Sequence, residues 1–177
     1  MWRFLVPIGL FAALVAFFFV SLDRDKETLP SPLIGKPAPA FELPNLEDPL
    51  LKVAGSDFAG KPYVLNVWGT WCVGCRQEHE TLLEIAKRGE VPIVGLNWKD
   101  DRAQAQLWLK ELGNPYSVVA SDDEGRVAID WGVYGAPETF LVDAQGKVIY
   151  KHIAPMTMEI WEREVVPLLA QAGAQRR

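Results

Sequence analysis

The chain has 177 residues, with 18 lysines and arginines against 23 aspartates and glutamates and a formal net charge of −5. It has no basic run and no interleaving of basic and aromatic residues, which excludes a nucleic-acid binder. It shows no internal repeat or low-complexity tract, and its two cysteines are too few for a zinc site of three or four cysteine ligands within one chain.

Phe4 to Val20 is a 17-residue apolar run broken only by Pro7 and Gly9, and Leu22 extends it. A bilayer span needs about 17–25 such residues. Arg3 and the α-amino group precede the run, and the mixed-charge cluster Asp23-Arg24-Asp25-Lys26-Glu27 follows it. The short leader is expected to stay inside and the bulk of the chain to lie outside the cytoplasm. The alternative is a cleaved signal peptide, which wants small residues one and three positions before its cleavage site. Phe17-Phe18-Phe19-Val20-Ser21-Leu22 offers no such pair. An uncleaved single-pass anchor is therefore expected over 1–27, crossing the inner membrane through residues 4–22. Thr28 to Pro39 holds four prolines and reads as a semi-rigid extended spacer over 28–39. What remains, about 150 residues with the spacer, fits one domain. It is assigned to 40–172, with a disordered tail at 173–177.

A short edge strand is expected around Phe41 to Leu43 and a second at Leu51 to Val53, joined by a loop from Asn45 to Pro49. Ser56 to Gly60 reads as one helical turn. After the Gly60-Lys61-Pro62 breaker, Tyr63-Val64-Leu65-Asn66-Val67-Trp68 is mostly apolar, β-branched or aromatic and predicts a buried strand. Gly69-Thr70 turns the chain into Trp71-Cys72-Val73-Gly74-Cys75. The period then changes, and Cys75, His79, Leu82, Leu83 and Ala86 fall on one face of a helix expected from Val73 to Arg88. Lys87 and Arg88 complement its C-terminal dipole and Gly89 stops it. Val91 to Trp98 predicts a second buried strand. Asp100 or Asp101 can cap the next helix, with Ala103, Leu107, Trp108 and Leu112 inward, and Gly113-Asn114-Pro115 ends it. Ser117 to Ala120 is a short strand, and Asp122 or Asp123 caps a short helix through Trp131. The loop Gly132 to Pro137 enters a strand from Glu138 to Asp143, which Ala144-Gln145-Gly146 turns into a hairpin with Lys147 to Ile153. Thr157 caps a last helix with Ile160, Trp161, Val165, Leu168 and Leu169 inward. Pro167 must kink or split that helix, and the tail from Gln171 frays. Strands alternating with helices give a parallel sheet covered on both faces, to which the final hairpin adds antiparallel strands.

The pair of cysteines sits where the central strand gives way to a helix N-terminus. Unpaired N–H groups and the positive end of the helix dipole favour a thiolate there, lowering a cysteine pKa from about 8.5 by one to several units. Cys72, nearer the turn, is expected to be exposed and to attack. Cys75, one helical turn further in, can close a disulfide on Cys72 and is expected to resolve the exchange. A purely structural disulfide is the plainer reading, but closing so small a loop constrains the unfolded chain little. Metal binding is not expected: His79 lies in the same helix as Cys75, and nothing gives His152 a short ligand spacing. The haem-attachment pattern C-x-x-C-H fails, because Arg76 follows Cys75. No cofactor is called for.

Three segments carry a family resemblance. They are Gly35-x-x-Ala38-Pro39-x-Phe41, then Asn66-Val67-Trp68-Gly69-Thr70-Trp71-Cys72-Val73-Gly74-Cys75-x-x-Glu78, and Gly132-Val133-Tyr134-Gly135-Ala136-Pro137-Glu138-Thr139-Phe140-Leu141-Val142-Asp143. Together they resemble the CcmG/DsbE family, membrane-anchored thioredoxin-like thiol:disulfide interchange proteins of cytochrome c maturation. The resemblance implies an α/β thioredoxin-like fold: a mixed central sheet flanked by helices on both faces, with extra N-terminal strands and one N-terminal transmembrane helix. It implies that Pro137 is a cis-proline facing the dithiol, that the Ala136 backbone pairs with an extended substrate segment, and that Trp71 and Glu138 join the substrate-binding site. It places Glu78 and Glu138 near Cys72 and Cys75 in an acidic active site, where a carboxylate disfavours the thiolate and can take the proton of Cys75. The thioredoxin-like buried acid six residues before the first cysteine is absent, since Asn66 stands there, which moves the burden to Glu78.

The function implied is a periplasmic protein-disulfide reductase, recharged by a DsbD- or CcdA-type membrane electron donor. It would reduce the haem-binding cysteines of apocytochrome c or a CcmH-type partner through a Cys72 mixed disulfide. Three rivals stand beside it. One is a broader anchored reductase for other exported proteins. A peroxiredoxin-type peroxidase would want a threonine where Gly69 stands. A non-enzymatic Cu(I) chaperone would want a wider cysteine spacing and a nearby loop histidine.

Overall fold

The computed structural model describes residues 2–22 and 31–174. The charged cluster after the apolar run, residues 28–30 of the expected spacer, and 175–177 of the expected tail lie outside the described residues. The first helix, α1, runs Trp2–Leu22 with Pro7 inside it. Val6, Ile8, Leu10, Phe11, Leu14, Phe17 and Phe18 stand exposed along it. Among the described residues no helix is long and apolar enough to cross a membrane.

From Ser31 the chain is part of the domain rather than a free spacer. β1 (Glu42–Pro44) and β2 (Lys52–Ala54) form an antiparallel pair, and a 3-10 turn (Gly55–Phe58) follows. β3 (Tyr63–Trp68) leads into α2 (Val73–Arg88), β4 (Ile93–Trp98), α3 (Arg102–Leu112), β5 (Val118–Asp122) and α4 (Arg126–Asp130). β6 (Glu138–Val142) and β7 (Val148–His152) make the late hairpin. A last helical run comprises α5 (Met158–Ile160), a π turn (Trp161–Val165) and α6 (Val166–Ala174). The main sheet has five strands in the order β5-β4-β3-β6-β7. β3 is parallel to β4 and antiparallel to β6, so the strand that delivers the cysteines is the middle one.

Two buried layers flank this sheet. On one face Val64, Trp68 and Leu141 pack with Leu82 and Ile85 of α2, Trp108 and Leu109 of α3, and Trp161 and Val165 of the π turn. On the other, Leu65, Val67, Leu96, Phe140 and Val142 pack with Phe41, Val53, Val127, Ala128 and Trp131. Both sheet edges are covered by the segment ahead of β3, which blunts the open hydrogen-bonding rows of an edge strand. Gly35 N–H donates to Val148 O at 2.8 Å and Val148 N–H to Lys36 O at 3.0 Å along β7. Leu46 N–H donates to Val119 O at 2.9 Å along β5. That is why residues 31–39, expected to be spacer, are ordered against the sheet.

Three local expectations are corrected. Asp101 caps α3, accepting from Gln104 N–H at 3.0 Å, but the helix buries Ala105, Trp108 and Leu109 while Ala103, Leu107 and Leu112 are exposed. Trp108 stacks edge-on against Trp68 of β3 at 5.5 Å, and seating that ring sets the inward face. The N-cap position of α4 is Gly125, in the left-handed region at φ 74°; Asp122 reaches past it and accepts from Ala128 N–H at 2.8 Å. The last helix is split ahead of Pro167, as expected, and continues beyond it. The π turn just before it takes up the misfit of a residue that lacks an N–H and crowds the preceding turn. The helix runs on to Ala174, so residues 173 and 174 of the expected tail are helical.

Candidate active site

Cys72 is the N-cap of α2: its sulfur accepts the Cys75 backbone N–H at 3.0 Å. The sulfur thus sits among donors left unpaired by the start of the helix. Cys72 and Cys75 form a disulfide with 5.3 Å between their Cα atoms. The expectation of an exposed Cys72 is not met in this disulfide form, where the two residues are 5% and 3% exposed. Two prolines from other segments close on the turn between the cysteines. A Cβ built on Gly74 would lie 2.7 Å from Cδ of Pro137 and 3.3 Å from Cγ of Pro155. Only glycine admits the two prolines that close to the dithiol.

The Ala136–Pro137 peptide bond is cis, with Pro137 buried and Ala136 half-buried beside the dithiol's core cluster. Trp71 and Val73, which flank Cys72 in the chain, are 52% and 74% exposed, and Tyr134, in the loop that leads to Pro137, is 62% exposed. Trp71 is not loose, because its Nε1–H donates to Trp98 O at 3.2 Å and its ring meets Trp98 edge-on at 5.6 Å. A groove beside it is lined by Thr70, Trp71, Arg76, Leu107 and Trp108.

Glu78 follows Cys75 by one helical turn and is fully buried. Its Oε1 accepts from Asn66 Nδ2 at 2.8 Å and its Oε2 from the Met156 N–H at 2.7 Å. Burial raises its pKa from 4.5 to about 7, against the pull of those two donors. Asn66 is itself fixed: Nδ2 also donates to Thr139 Oγ1 at 3.1 Å, and Oδ1 accepts from Tyr116 O–H at 2.9 Å. The result is a buried chain of polar groups, Tyr116–Asn66–Glu78, lying under the dithiol face of the sheet. Sequence reasoning found Glu78 and noted Asn66 only as a missing acid. It did not find Tyr116, Thr139 or Met156, which come from three other segments.

Glu138 is a correction. Successive side chains of a strand alternate between faces. On β6, Thr139 and Leu141 face α2, while Glu138, Phe140 and Val142 face the other layer. Glu138 therefore stands on the far side of the sheet from Cys72 and Cys75 and is no part of an acidic site around them. Its Oε2 pairs with Lys151 Nζ at 3.0 Å, with the two side chains 0% and 2% exposed. Its Oε1 accepts from Tyr134 N–H at 2.7 Å and Gly135 N–H at 3.3 Å. Lys151 donates to Gly132 O at 2.7 Å and lies 4.4 Å from the centre of the Tyr134 ring. The pair grips the loop that carries Ala136 and Pro137.

His79 Nε2–H donates to Gly113 O at 3.0 Å, tying α2 to the end of α3, and burial lowers its pKa. His152 is buried on β7 and stacks with Tyr150. Among the described residues no group of three or more histidines, cysteines or acids is placed to hold a metal ion.

The chain matches the Redoxin family over residues 33–167. It is 47% identical over 167 residues to the thiol:disulfide interchange protein DsbE of Pseudomonas aeruginosa, covering 94% of this chain and 92% of that one. It is 44% identical over 169 residues to DsbE of Allochromatium vinosum, covering 96% and 93%. Among solved structures, a thiol:disulfide interchange protein of the thioredoxin family from Chlorobium tepidum superposes with a TM-score of 0.64 at 26% identity, over 75% of this chain and 95% of that one.

Proposed function

The chain belongs to the Redoxin family and, within it, to the DsbE thiol:disulfide interchange proteins, and from that premise we propose that it reduces partner disulfides in the periplasm during cytochrome c maturation. It is a protein-disulfide oxidoreductase with a thioredoxin-like fold and a mixed central sheet. The observation that carries the reading is the disulfide at the mouth of α2, with a buried carboxyl of near-neutral pKa one turn behind it.

In the reduced chain, Cys72 thiolate attacks one sulfur of a partner disulfide. The partner's S–S bond breaks, a mixed disulfide forms, and the first partner thiolate leaves. Cys75 then loses its proton and attacks the Cys72 sulfur. The mixed bond breaks, the second partner thiolate leaves, and the Cys72–Cys75 disulfide is restored. Two electrons pass from the chain to the partner. A carboxylate at Glu78 is suited to take the Cys75 proton, because its pKa stands near neutrality. The exposed Trp71, Val73 and Tyr134 supply the apolar rim on which a partner segment docks, alongside the Ala136 backbone.

The apolar run of residues 4–22, with Arg3 ahead of it, supports anchoring in the inner membrane with the domain on the outer side. Outside the cytoplasm the dithiol rests oxidised, so a membrane thiol transporter of the DsbD or CcdA type is the electron source. The partners are apocytochrome c or a CcmH-type protein. A Cys75→Ser chain cannot resolve its mixed disulfide, so it is expected to hold those partners covalently in living cells. Capture of unrelated exported proteins instead would make it a general reductase. A variant that captures nothing through Cys72 would sink the reading.

A further inference from the structure

The turn that presents Cys72 is held by a carboxylate from a different strand's end. Just past β4, Lys99 adopts φ 47°, a left-handed conformation that is costly for a residue with a Cβ. Its N–H donates to Asp122 O at 3.1 Å, which keeps the kink in place. The kink turns the next residue, Asp100, back toward the dithiol. Asp100 Oδ2 accepts from Thr70 N–H at 2.7 Å and Asn97 Nδ2 at 2.9 Å. Its Oδ1 accepts from Thr70 Oγ1–H at 2.6 Å and Asp101 N–H at 2.9 Å. Four donors thus converge on this one carboxyl group. Thr70 gives both its backbone and its side chain to this one group. Two residues on, Cys72 N–H donates to Gly69 O at 3.1 Å and Cys72 Sγ accepts from Cys75 N–H.

We propose that Asp100, aimed by the strained Lys99, is a positioning residue for thiol exchange: by pinning Thr70 it keeps the Cys72 sulfur over the first turn of α2. Asp100 acts through Thr70. This role rests on Cys72 as the attacking sulfur, and it deepens that reading by naming what places the nucleophile.

The test uses the full chain, reduced, against a small aromatic disulfide that needs no docking, with Cys72→Ser as the blank. Thr70→Val keeps the backbone bond and loses the hydroxyl bond, while Thr70→Ser keeps both. Asp100→Asn and Thr70→Val are each expected to react about tenfold more slowly, the scale of a small misplacement of a reacting atom. The double variant should be no slower than the slower single, because both changes act through the shared Asp100–Thr70 contact. Thr70→Ser should restore the wild-type rate. In Thr70→Val alone, the equilibrium with glutathione should shift about threefold toward the disulfide, as the reduced form loses its fixed sulfur. A Thr70→Val chain at the wild-type rate overturns the role. So does a Thr70→Ser chain as slow as Thr70→Val, or slowdowns that multiply in the double variant. If wild-type Cys72 itself does not react, the exchange reading falls and this role falls with it.

Discussion

Glu78 and Glu138 are both fully buried, on opposite faces of one sheet, and they meet the cost of burial in different ways. An ionised carboxylate taken out of water costs several kcal/mol unless its charge is met. Glu138 is met by the Lys151 ammonium at 3.0 Å and two backbone N–H groups. Among the described residues, Glu78 is met by neutral donors alone, Asn66 and the Met156 N–H. Burial outweighs them and its pKa climbs to about 7. The same residue type at the same depth is thus a fixed pin where a cation faces it and a proton store where none does. The proton store lies on the dithiol side and the pin holds the loop opposite.

The largest test of that contrast removes the cation. Lys151→Met leaves Glu138 buried without its counter-charge and is expected to cost about 3–5 kcal/mol, read by chemical denaturation. Glu138→Leu with Lys151→Met should recover most of the loss, since a buried ion pair can be replaced by apolar groups at little net cost. A single-variant loss below about 1 kcal/mol would mean that Glu138 depends no more on its partner than Glu78 does, and the contrast would fail.

The next test reads the proton on Glu78. In the unfolded chain this carboxyl titrates near 4.5, and in the fold near 7. The folded state therefore holds the proton over that interval while the unfolded state has released it. Stability should be highest below about pH 4.5 with respect to this group, fall as pH rises toward 7, and stay flat above, a total of roughly 3 kcal/mol at 1.36 kcal/mol per pK unit. Glu78→Gln should abolish this slope and slow reduction of a partner disulfide by tenfold or more if the group moves the Cys75 proton. A slope that survives in Glu78→Gln would assign the proton elsewhere, and an unchanged rate would take Glu78 out of the mechanism.

Much of this was legible before the structure. β3 and α2 stand where the apolar run and the change of period put them, because a buried central strand and a capped helix are both strong local patterns. The dithiol, Glu78 and the cis Ala136–Pro137 bond followed from the cysteine spacing and the family resemblance. The inward face of α3 did not, since Ala103 and Ala105 are the same residue type and only the partner surface around Trp68 chooses between them. The side of the sheet taken by Glu138 was hidden for a related reason. β6 is buried at every position, so alternation separates Glu138 from Thr139 without saying which of them lies beneath α2. Tyr116 comes from a segment far from Asn66 in the chain, and no local pattern joins them. Asp100 looked like one of two possible caps; Asp101 does the capping and frees Asp100 to turn away.

The smallest effect tests why neutral donors can face Glu78 reliably at all. Asn66 could present either end of its amide to the carboxyl. Tyr116 prevents the flip: burial, and then the charge of Glu78, push its pKa well above the usual phenol range, so its hydroxyl stays a donor and holds Asn66 Oδ1 at 2.9 Å. Tyr116→Phe should cost about 1 kcal/mol, the worth of one buried hydrogen bond. It should also let the Asn66 carbonyl turn toward Glu78, which favours the protonated acid and moves the end of the stability slope to higher pH. Thr139→Val, which removes the other acceptor of Asn66 Nδ2 but leaves Tyr116 in place, should cost a similar amount and leave the slope where it was. If Tyr116→Phe leaves the slope where it was, the amide is held by packing rather than by the tyrosine, and the neutral partner of Glu78 is set by shape alone.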